Sequence, residues 1–229
     1  MLVINPSLPF ALEIAPGVRH YPDYLDRNAQ AALLDELREV LRAAPLFTPR
    51  MPRTGKPFSV HMTNCGPLGW VSDTEGYRYQ PNHPETGRPW PPIPAALLDA
   101  WADLAPNSPP PEACLVNMYE GAARMGLHQD RDEEELSTPV VSLSLGDDAV
   151  FRIGGLKRAS PTRSFRLRSG DAMSLGGPAR LAFHGVDRIV AGTSTLLAKG
   201  GRVNLTLRRV RPSLPLRGKV DARSRPDEG

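Results

Sequence analysis

The sequence predicts a mainly β protein with flanking helices, arranged as a sandwich or jelly roll. The 25 prolines and 20 glycines among 229 residues favour many turns and short strands over long helices. From residue 113 onward, short apolar or alternating runs are separated by turn signals, a pattern typical of such folds. The apolar fraction of 40% and the charged fraction of 23% are those of an ordinary globular domain. A core can therefore form without disulfide bonds.

Two amphipathic helices are predicted before the strand-rich part. The segment 26–44 carries apolar residues at helical spacing, Asp26 or Asn28 can cap its start, and Pro45 ends it. The segment 93–104 shows the same spacing over a shorter length. Because each helix has one apolar face, we expect both to pack against another element.

Short strands are predicted at 58–63 and then throughout the second half of the chain. The second group comprises Ala113–Tyr119, Val140–Leu145, Val150–Ile153, Ser164–Leu167, Ala172–Leu175, Arg180–His184, Ile189–Val190 and Arg202–Arg209. Residues 1–22 contain several prolines and no clear period, so we expect an irregular extension with at most one short strand.

A turn-rich segment between residues 64 and 90 carries aromatic residues outside any core-forming period, namely Trp70, Tyr77, Tyr79 and Trp90. Aromatic side chains in such a place can form a lid that stacks on nucleic-acid bases. The alternative is that they anchor a long loop to the body of the protein. The Pro-rich loop 45–56 is equally open, because its arginines either contact phosphates or are simply solvated.

Three residues in the strand-rich half have the chemistry of a metal site. His128 and Asp130 are two positions apart, so an extended strand would direct both side chains to one face. His184 follows far enough along the chain to return on another strand. Two imidazoles and one carboxylate with open positions are the ligand set of non-haem Fe(II) oxygenases. The alternative is that Asp130 only begins a charged loop, since acidic residues follow it.

A polar stripe is predicted on the last strand. Arg202, Asn204 and Arg208 are separated by even numbers of residues and therefore share one side of an extended segment. A buried cation requires an anion, and guanidinium groups can clamp the end of a dicarboxylate. Asn117 and Tyr119 can add donors from a neighbouring strand. The alternative is an internal salt bridge with an Asp or a Glu.

Several of these motifs, in the same order, resemble the bacterial AlkB family of Fe(II)- and 2-oxoglutarate-dependent dioxygenases, which repair alkylated nucleic-acid bases. The motifs are Met62–Trp70, Asn117-x-Tyr119, His128-Gln129-Asp130-x-Asp132-Glu133, Gly154–Arg158 and Arg202-x-Asn204-Leu205-Thr206-x-Arg208. The resemblance extends over about 58–209. One departure is Leu175, which stands where the family member carries a tryptophan beside the metal.

The resemblance implies a role for each matching residue. The Fe(II) ligands would be His128, Asp130 and His184, and the 2-oxoglutarate contacts would be Asn117, Tyr119, Arg202, Asn204 and Arg208. The pocket for the damaged base would contain Trp70, Tyr77, Asp132 and Arg158, with Met62, Tyr79 and Glu133 as weaker candidates. The third reactant would be O2.

The resemblance also implies a fold and an activity. A double-stranded β-helix (jelly-roll) core would occupy 112–210 behind an N-terminal α/β nucleotide-recognition lid at 23–111, and 211–229 would form a basic, flexible tail. The activity would be oxidative demethylation of bases such as 1-methyladenine and 3-methylcytosine in DNA, with RNA as a second substrate. 2-Oxoglutarate would become succinate and CO2, and formaldehyde would be released.

Two rival functions follow from the alternatives above. One is a 2-oxoglutarate oxygenase that acts on a protein or a small molecule, against which the aromatic segment 70–79 argues. The other is a non-catalytic jelly roll that binds nucleic acid. The metal-type and arginine residues together argue against that second function.

The net charge of +3 and the pI near 9.1 permit a polyanionic partner without demonstrating one. No apolar run approaches the roughly 20 residues that span a bilayer, and the first residues lack the features of a signal peptide. We therefore expect a cytoplasmic monomer that contacts no membrane. Its cysteines, Cys65 and Cys114, are expected to be reduced thiols.

Overall fold

The computed structural model describes residues 10–212, which form thirteen strands and two α-helices. The elements are β1 (Leu12–Ala15), β2 (Val18–Tyr21), α1 (Arg27–Ala43), β3 (His61–Cys65), β4 (Gly69–Asp73), β5 (Gly76–Gln80), α2 (Ala95–Leu104), β6 (Ala113–Tyr119), β7 (Met125–His128), β8 (Val140–Gly146), β9 (Asp148–Ile153), β10 (Arg163–Leu167), β11 (Ala172–Leu175), β12 (His184–Val190) and β13 (Arg202–Arg208). The mainly β class with flanking helices is thus confirmed.

The strands form two facing sheets and a separate hairpin. The large sheet has the order β1-β2-β11-β8-β13-β6-β3, and the small sheet has the order β10-β9-β12-β7. Strands that are distant in sequence, such as β6 and β13, are neighbours in space, and every one of these pairs is antiparallel. This arrangement of crossing antiparallel strands fits a jelly-roll core.

Two hydrophobic clusters lie on opposite faces of the large sheet. One cluster, which includes Leu115, Phe151 and Leu175, fills the space between the two sheets. The other, which includes Leu37 and Leu205, joins the large sheet to the helices. Successive side chains of a strand point to opposite faces, so each central strand contributes to both clusters. The protein is therefore built as helices, large sheet and small sheet, in that order.

Helix α1 agrees with its prediction. Asp26 caps it by accepting a hydrogen bond of 2.8 Å from the Ala29 amide, and the helix ends at Ala43, before Pro45. Leu33 and Leu37 are almost fully buried on its inner face. Helix α2 begins at Ala95, two residues after the predicted start, because Pro94 occupies the N-cap position.

Three local predictions were wrong. The extension expected to be irregular contains β1 and β2, and β2 pairs with β11 at the edge of the large sheet. The aromatic segment is not irregular, because β4 and β5 form a regular hairpin there. A strand of four or five residues between turn residues is too short for its alternating pattern to be detected in the sequence.

The third wrong prediction concerns the segment 180–184. Residues Gly177–Ala179 form a short 3-10 helix, and the strand begins only at His184. Arg180 explains the difference, because its guanidinium donates to the carbonyl oxygens of Thr138 and Asp130 and so holds a turn. The jelly-roll sheet also extends beyond 112–210, since β1, β2 and β3 belong to it.

Among residues 10–212, no helix is long and apolar enough to cross a membrane. The predicted flexible tail lies almost entirely outside the described residues, which end at Pro212.

Candidate active site

A cavity of about 620 Å³ lies between the two sheets and opens beside the β4–β5 hairpin. Every site residue predicted from the sequence lines it except Tyr79: Met62, Trp70, Tyr77, Asn117, Tyr119, His128, Asp130, Asp132, Glu133, Arg158, His184, Arg202, Asn204 and Arg208. Residues from β3, β4, β5, β6, β7, β12 and β13 therefore meet in one place. Long-range strand pairing creates this proximity.

The two histidines of the metal-type group come from paired strands. His128 ends β7, His184 begins β12, and the two are register partners with ring centroids 4.4 Å apart. Asp130 lies in the loop after β7 and not on the strand, so the predicted shared strand face is wrong. The loop nevertheless places the Asp130 carboxylate close to both histidines. The His128 Nε2 to Asp130 Oδ1 distance is 3.6 Å, and the His184 Nε2 to Asp130 Oδ2 distance is 3.9 Å.

Backbone carbonyls orient both imidazole rings. The Nδ1 atom of His128 lies 2.9 Å from the carbonyl oxygen of Gly126, and the Nδ1 atom of His184 lies 2.9 Å from that of Ala182. A ring that donates from Nδ1 to a carbonyl leaves its Nε2 lone pair free as a ligand. All three potential ligand atoms lie within 4.8 Å of one another, so the group can hold one divalent cation.

The charges of the group also suit a cation. Burial opposes the ionised form of Asp130, but Arg208, His184 and His128 outweigh it and hold the pKa of this carboxyl well below its usual range. Burial, reinforced by His128, lowers the pKa of His184 to about 4. Near neutral pH the group therefore presents a carboxylate and a neutral imidazole, which are the protonation states that metal binding requires.

Arg208 is held by acidic residues, as the salt-bridge alternative anticipated. Its Nη2 donates to Asp130 Oδ2 at 2.9 Å, and its Nε lies 3.3 Å from Glu133 Oε1. Burial disfavours the cation, yet Asp130 and the other nearby acidic groups raise the pKa of Arg208 above its ordinary value. The remaining nitrogen, Nη1, is buried and has no hydrogen-bond partner among the described residues.

Arg202 is a buried cation of a different kind. It is fully buried and donates to Ser144 Oγ at 2.6 Å and to the carbonyl oxygens of Asp147 and Leu167. Between residues 10 and 212, no carboxylate forms an ion pair with it. Burial accordingly lowers the pKa of Arg202 to about 10. Burying a charge without an opposite charge costs free energy, and an anionic ligand beside this guanidinium would offset that cost.

The strand register brings the other polar residues to the same wall. Arg202 lies opposite Tyr119 and Asn204 lies opposite Asn117 in the β6–β13 ladder. Burial raises the pKa of Tyr119 to about 12, so its hydroxyl remains a hydrogen-bond donor near neutral pH. The wall thus offers guanidinium, phenol and amide groups, with Arg202 Nε and Arg208 Nη1 free of partners among residues 10–212. This donor set fits a molecule with two carboxylates.

The mouth of the cavity carries a stacked aromatic pair. The rings of Trp70 and Tyr77 lie 5.6 Å apart and 18° from parallel, and Tyr77 is 52% exposed. Trp70 Nε1 donates to Asp132 Oδ2 at 2.8 Å, which places a carboxylate beside the pair. Arg158 lies over the ring of Phe183 at 4.9 Å and donates to the carbonyl oxygen of Leu127. The entrance is therefore surrounded by a flat aromatic surface, the carboxylate of Asp132 and the guanidinium of Arg158.

Two of the weaker candidates, Tyr79 and Glu133, contact each other. The Tyr79 hydroxyl lies within hydrogen-bond distance of Glu133, and Tyr79 does not line the cavity. Arg180 was missed, although its guanidinium supports the loop that carries Asp130. Its sequence context offers no signal, because a buried arginine in a turn is indistinguishable from a surface one. Leu175 does line the cavity.

Comparisons with known proteins agree with this geometry. Residues 17–208 match the 2OG-Fe(II) oxygenase superfamily. The chain is 58% identical over 200 residues, covering 87% of this chain and 90% of the relative, to an alpha-ketoglutarate-dependent dioxygenase AlkB homolog of Caulobacter vibrioides. It is 33% identical to the DNA N(6)-methyladenine demethylase ALKBH1C of Arabidopsis thaliana, covering 85% of this chain and 49% of that protein.

Among solved structures, OsALKBH1 superposes with a TM-score of 0.76 at 30% sequence identity, covering 87% of this chain and 99% of that one. The family match and the close relative together establish both the chemistry and its cofactors, which are Fe(II), 2-oxoglutarate and O2. The chain belongs to the 2OG-Fe(II) oxygenase superfamily and, within it, to the AlkB dioxygenases.

Proposed function

We propose that this dioxygenase removes N-linked methyl groups from damaged bases of DNA, and of RNA as a second substrate. The bases are 1-methyladenine and 3-methylcytosine. The observation that carries the proposal is the stacked pair of Trp70 and Tyr77 at the mouth of the cavity that contains His128, Asp130 and His184. Aromatic faces at an entrance suit a base that has left its stack. The nucleic-acid demethylase named among the relatives supports the same substrate class.

In this proposal His128, Asp130 and His184 hold Fe(II). The neutral imidazole of His184 and the ionised carboxylate of Asp130 supply the required ligand forms. Bound Fe(II), together with 2-oxoglutarate and O2, supplies the oxidising power. The balanced reaction converts an N-methylated base, O2 and 2-oxoglutarate into the unmodified base within the strand, formaldehyde, succinate and CO2.

2-Oxoglutarate is held by the wall of β6 and β13. Arg202 and Arg208 both line the cavity, and Arg202 Nε and Arg208 Nη1 have no hydrogen-bond partner in the described part of the chain. Asn117, Tyr119 and Asn204 complete this contact set. Charge-assisted hydrogen bonds from guanidinium groups are about twice as strong as neutral ones, so each arginine contact should contribute more than a contact from Asn117, Tyr119 or Asn204.

The substrate base lies against Trp70 and Tyr77, near Met62. Methylation at these ring nitrogens gives the base a positive charge, and Asp132 favours a cation because opposite charges attract. Arg158 at the rim suits a phosphate of the same strand. The hairpin β4–β5 and the residues of 23–111 around it act as the nucleotide-recognition lid over the core of 112–210.

The proposal extends to the state and place of the protein. It is a monomer that works in the cytoplasm without membrane contact. The buried cysteines, Cys65 and Cys114, are free thiols, as expected for a reducing compartment. Sedimentation of the purified protein tests the monomeric state.

The deciding experiment measures succinate and formaldehyde from an oligonucleotide with one 3-methylcytosine, in the presence of Fe(II) and 2-oxoglutarate. The controls are the same oligonucleotide with unmodified cytosine and the His128→Ala variant. We expect equal amounts of both products, absent from both controls. Succinate without formaldehyde would assign the enzyme to a different substrate. Absence of both products from methylated DNA and RNA would reject the proposed repair activity.

A further inference from the structure

Glu133 is a buried carboxylate whose two oxygens are both engaged by side chains from other elements. Oε1 accepts from the Tyr79 hydroxyl of β5 and lies 3.3 Å from Arg208 Nε of β13. Oε2 accepts from Arg180 Nη2 at 3.1 Å. The side chain is 2% exposed. Such a group is fixed in position before any ligand arrives.

Arg208 is oriented by this carboxylate together with Asp130. Asp130 Oδ2 accepts from Nε at 3.2 Å and from Nη2 at 2.9 Å, while Glu133 adds its contact at Nε. A planar guanidinium held along one edge has no rotational freedom left. Its third nitrogen, Nη1, is thereby presented as a buried donor with no partner among the described residues.

Arg180 fixes the loop from which Glu133 projects. It donates to the Asp130 carbonyl at 2.6 Å and to the Thr138 carbonyl at 2.9 Å, near the two ends of the loop. Its third contact is the Glu133 carboxylate. Arg180 is 4% exposed, and one buried guanidinium therefore closes the loop and places its carboxylate.

Tyr79 connects this network to the aromatic hairpin. In the β4–β5 ladder Tyr79 lies directly opposite Trp70, and it is two positions from Tyr77 on the same strand. Residues two apart on a strand share a face, so the same face of β5 carries the exposed Tyr77 and the bond to Glu133. The Tyr79 hydroxyl thus links the hairpin to the buried carboxylate of Glu133, beside the separate bond from Trp70 Nε1 to Asp132.

We propose that Glu133 is a positioning residue that orients Arg208 toward a carboxylate of 2-oxoglutarate and ties the aromatic hairpin to the site through Tyr79. This role replaces the contact with the damaged base that the sequence predicted for Glu133. The inference rests on the proposed contact between Arg208 and 2-oxoglutarate. It does not require that nucleic acid be the substrate.

The test titrates 2-oxoglutarate into the Mn(II)-loaded full-length protein by calorimetry. Glu133→Gln preserves size and removes the charge, and Glu134→Gln, an exposed neighbour, is the matched control. We expect Glu133→Gln to weaken 2-oxoglutarate binding about 10- to 100-fold, the range that corresponds to the loss of a hydrogen bond to a charged group, and the control to bind like the wild type. Unchanged affinity in a folded Glu133→Gln variant overturns the proposal.

A second measurement separates positioning from contact with the base. For the oligonucleotide reaction, loss of positioning in Glu133→Gln raises the KM for 2-oxoglutarate, with or without a smaller rise in the KM for the oligonucleotide from a loosened hairpin. A direct base contact raises only the KM for the oligonucleotide, and that result would refute the inference. The wild-type reaction independently tests the proposed function, so the two ideas fail by different results.

Tyr79→Phe keeps the test decisive if Glu133→Gln fails to fold. This change retains every charge and removes one hydrogen bond to Glu133. Such a bond is worth about 0.5–1.5 kcal/mol, so we expect 2-oxoglutarate affinity to fall by about two- to tenfold. Wild-type affinity in a correctly folded Tyr79→Phe protein would contradict the proposed tie between the hairpin and the site.

Discussion

His128 and His184 face each other across β7 and β12, and neither ring is hydrogen-bonded to the carboxylate between them. Their Nε2 atoms lie 3.6 Å and 3.9 Å from the oxygens of Asp130, beyond hydrogen-bond distance. Their Nδ1 atoms are instead committed to backbone carbonyls. Three ligand atoms that approach without bonding one another leave room for a cation, and the first prediction follows from that spacing.

Divalent metal should stabilise the protein through this group. A ligand that binds only the folded state at 100 times its Kd adds about 2.7 kcal/mol to the free energy of unfolding. We expect Mn(II) to raise the Tm of the wild type and to leave the Tm of His184→Ala unchanged, as measured by differential scanning calorimetry. His61→Ala, an exposed histidine outside the group, should respond like the wild type. An equal rise in His184→Ala would place the metal elsewhere.

Arg202 should destabilise the protein when 2-oxoglutarate is absent. Replacing a buried ion pair by apolar residues of similar volume is often neutral or stabilising by about 1–4 kcal/mol, and we expect a gain in the same direction for a buried cation that has no acidic partner among the described residues. We therefore expect Arg202→Met to raise the free energy of unfolding measured in urea without ligand, and to weaken 2-oxoglutarate binding at least about tenfold because a charge-assisted bond is lost. A lower stability of Arg202→Met would show that the bonds to Ser144 and two carbonyls outweigh the cost of burial.

Tyr77→Ala should impair substrate binding alone. Stacking of a base on an aromatic side chain is worth about 1–3 kcal/mol, so the KM for a methylated oligonucleotide should rise about fivefold or more. The affinity for 2-oxoglutarate should not change, because Tyr77 lies at the mouth and not on the arginine wall. Steady-state kinetics with each reactant varied in turn checks both statements. Unchanged turnover on DNA would revive a protein or small-molecule substrate.

The buried pair of His20 and Asp171 should make stability depend on acid pH. Burial raises the pKa of Asp171, but the bond from His20 Nε2 at 2.8 Å and the Arg168 and Asp23 amides outweigh it and lower the pKa. A carboxyl with a depressed pKa in the folded state stabilises the protein above its unfolded pKa of about 3.9, and that contribution disappears as the pH falls through the folded pKa.

The corresponding variant is Asp171→Asn. We expect its free energy of unfolding to lie about 1–3 kcal/mol below that of the wild type at pH 7, because buried hydrogen bonds to a charge are lost. The difference should begin to shrink below about pH 4, where the carboxyl of the unfolded chain takes up a proton, and should be lost as the pH falls through the lower pKa of the folded state. Urea denaturation at both pH values measures it, with the exposed Asp35→Asn as control. A difference that stays constant across this range would rule out the ionised carboxylate of Asp171 as its cause.

The local features of the chain were readable without the structure. Helix α1 follows from its apolar spacing and from Asp26, and β6 and β11 occupy their predicted residues. The stripe of Arg202, Asn204 and Arg208 on one side of β13 follows from the two-residue period of a strand. These properties depend on residues close in sequence, so the sequence alone determines them.

The sequence also carried the family assignment, because several motifs in one order are far more specific than any one of them. The comparisons with known proteins confirmed the superfamily, the dioxygenase chemistry and the requirement for Fe(II), 2-oxoglutarate and O2. The short strands β1, β2, β4 and β5 were not recognised, since four or five residues provide too little periodicity.

Only the tertiary structure decided how the polar residues share their charges. Arg208 binds Asp130 and Glu133, Arg180 closes the loop that carries both carboxylates, and Arg202 is left without an acidic partner among the described residues. The sequence determines which charged groups exist and, within a regular strand such as β13, which of them share a face. Their pairing depends on distances between groups such as Arg208 and Asp130, which are 78 residues apart in the chain. Electrostatic energy varies with those distances and with burial, and only the folded chain sets either quantity.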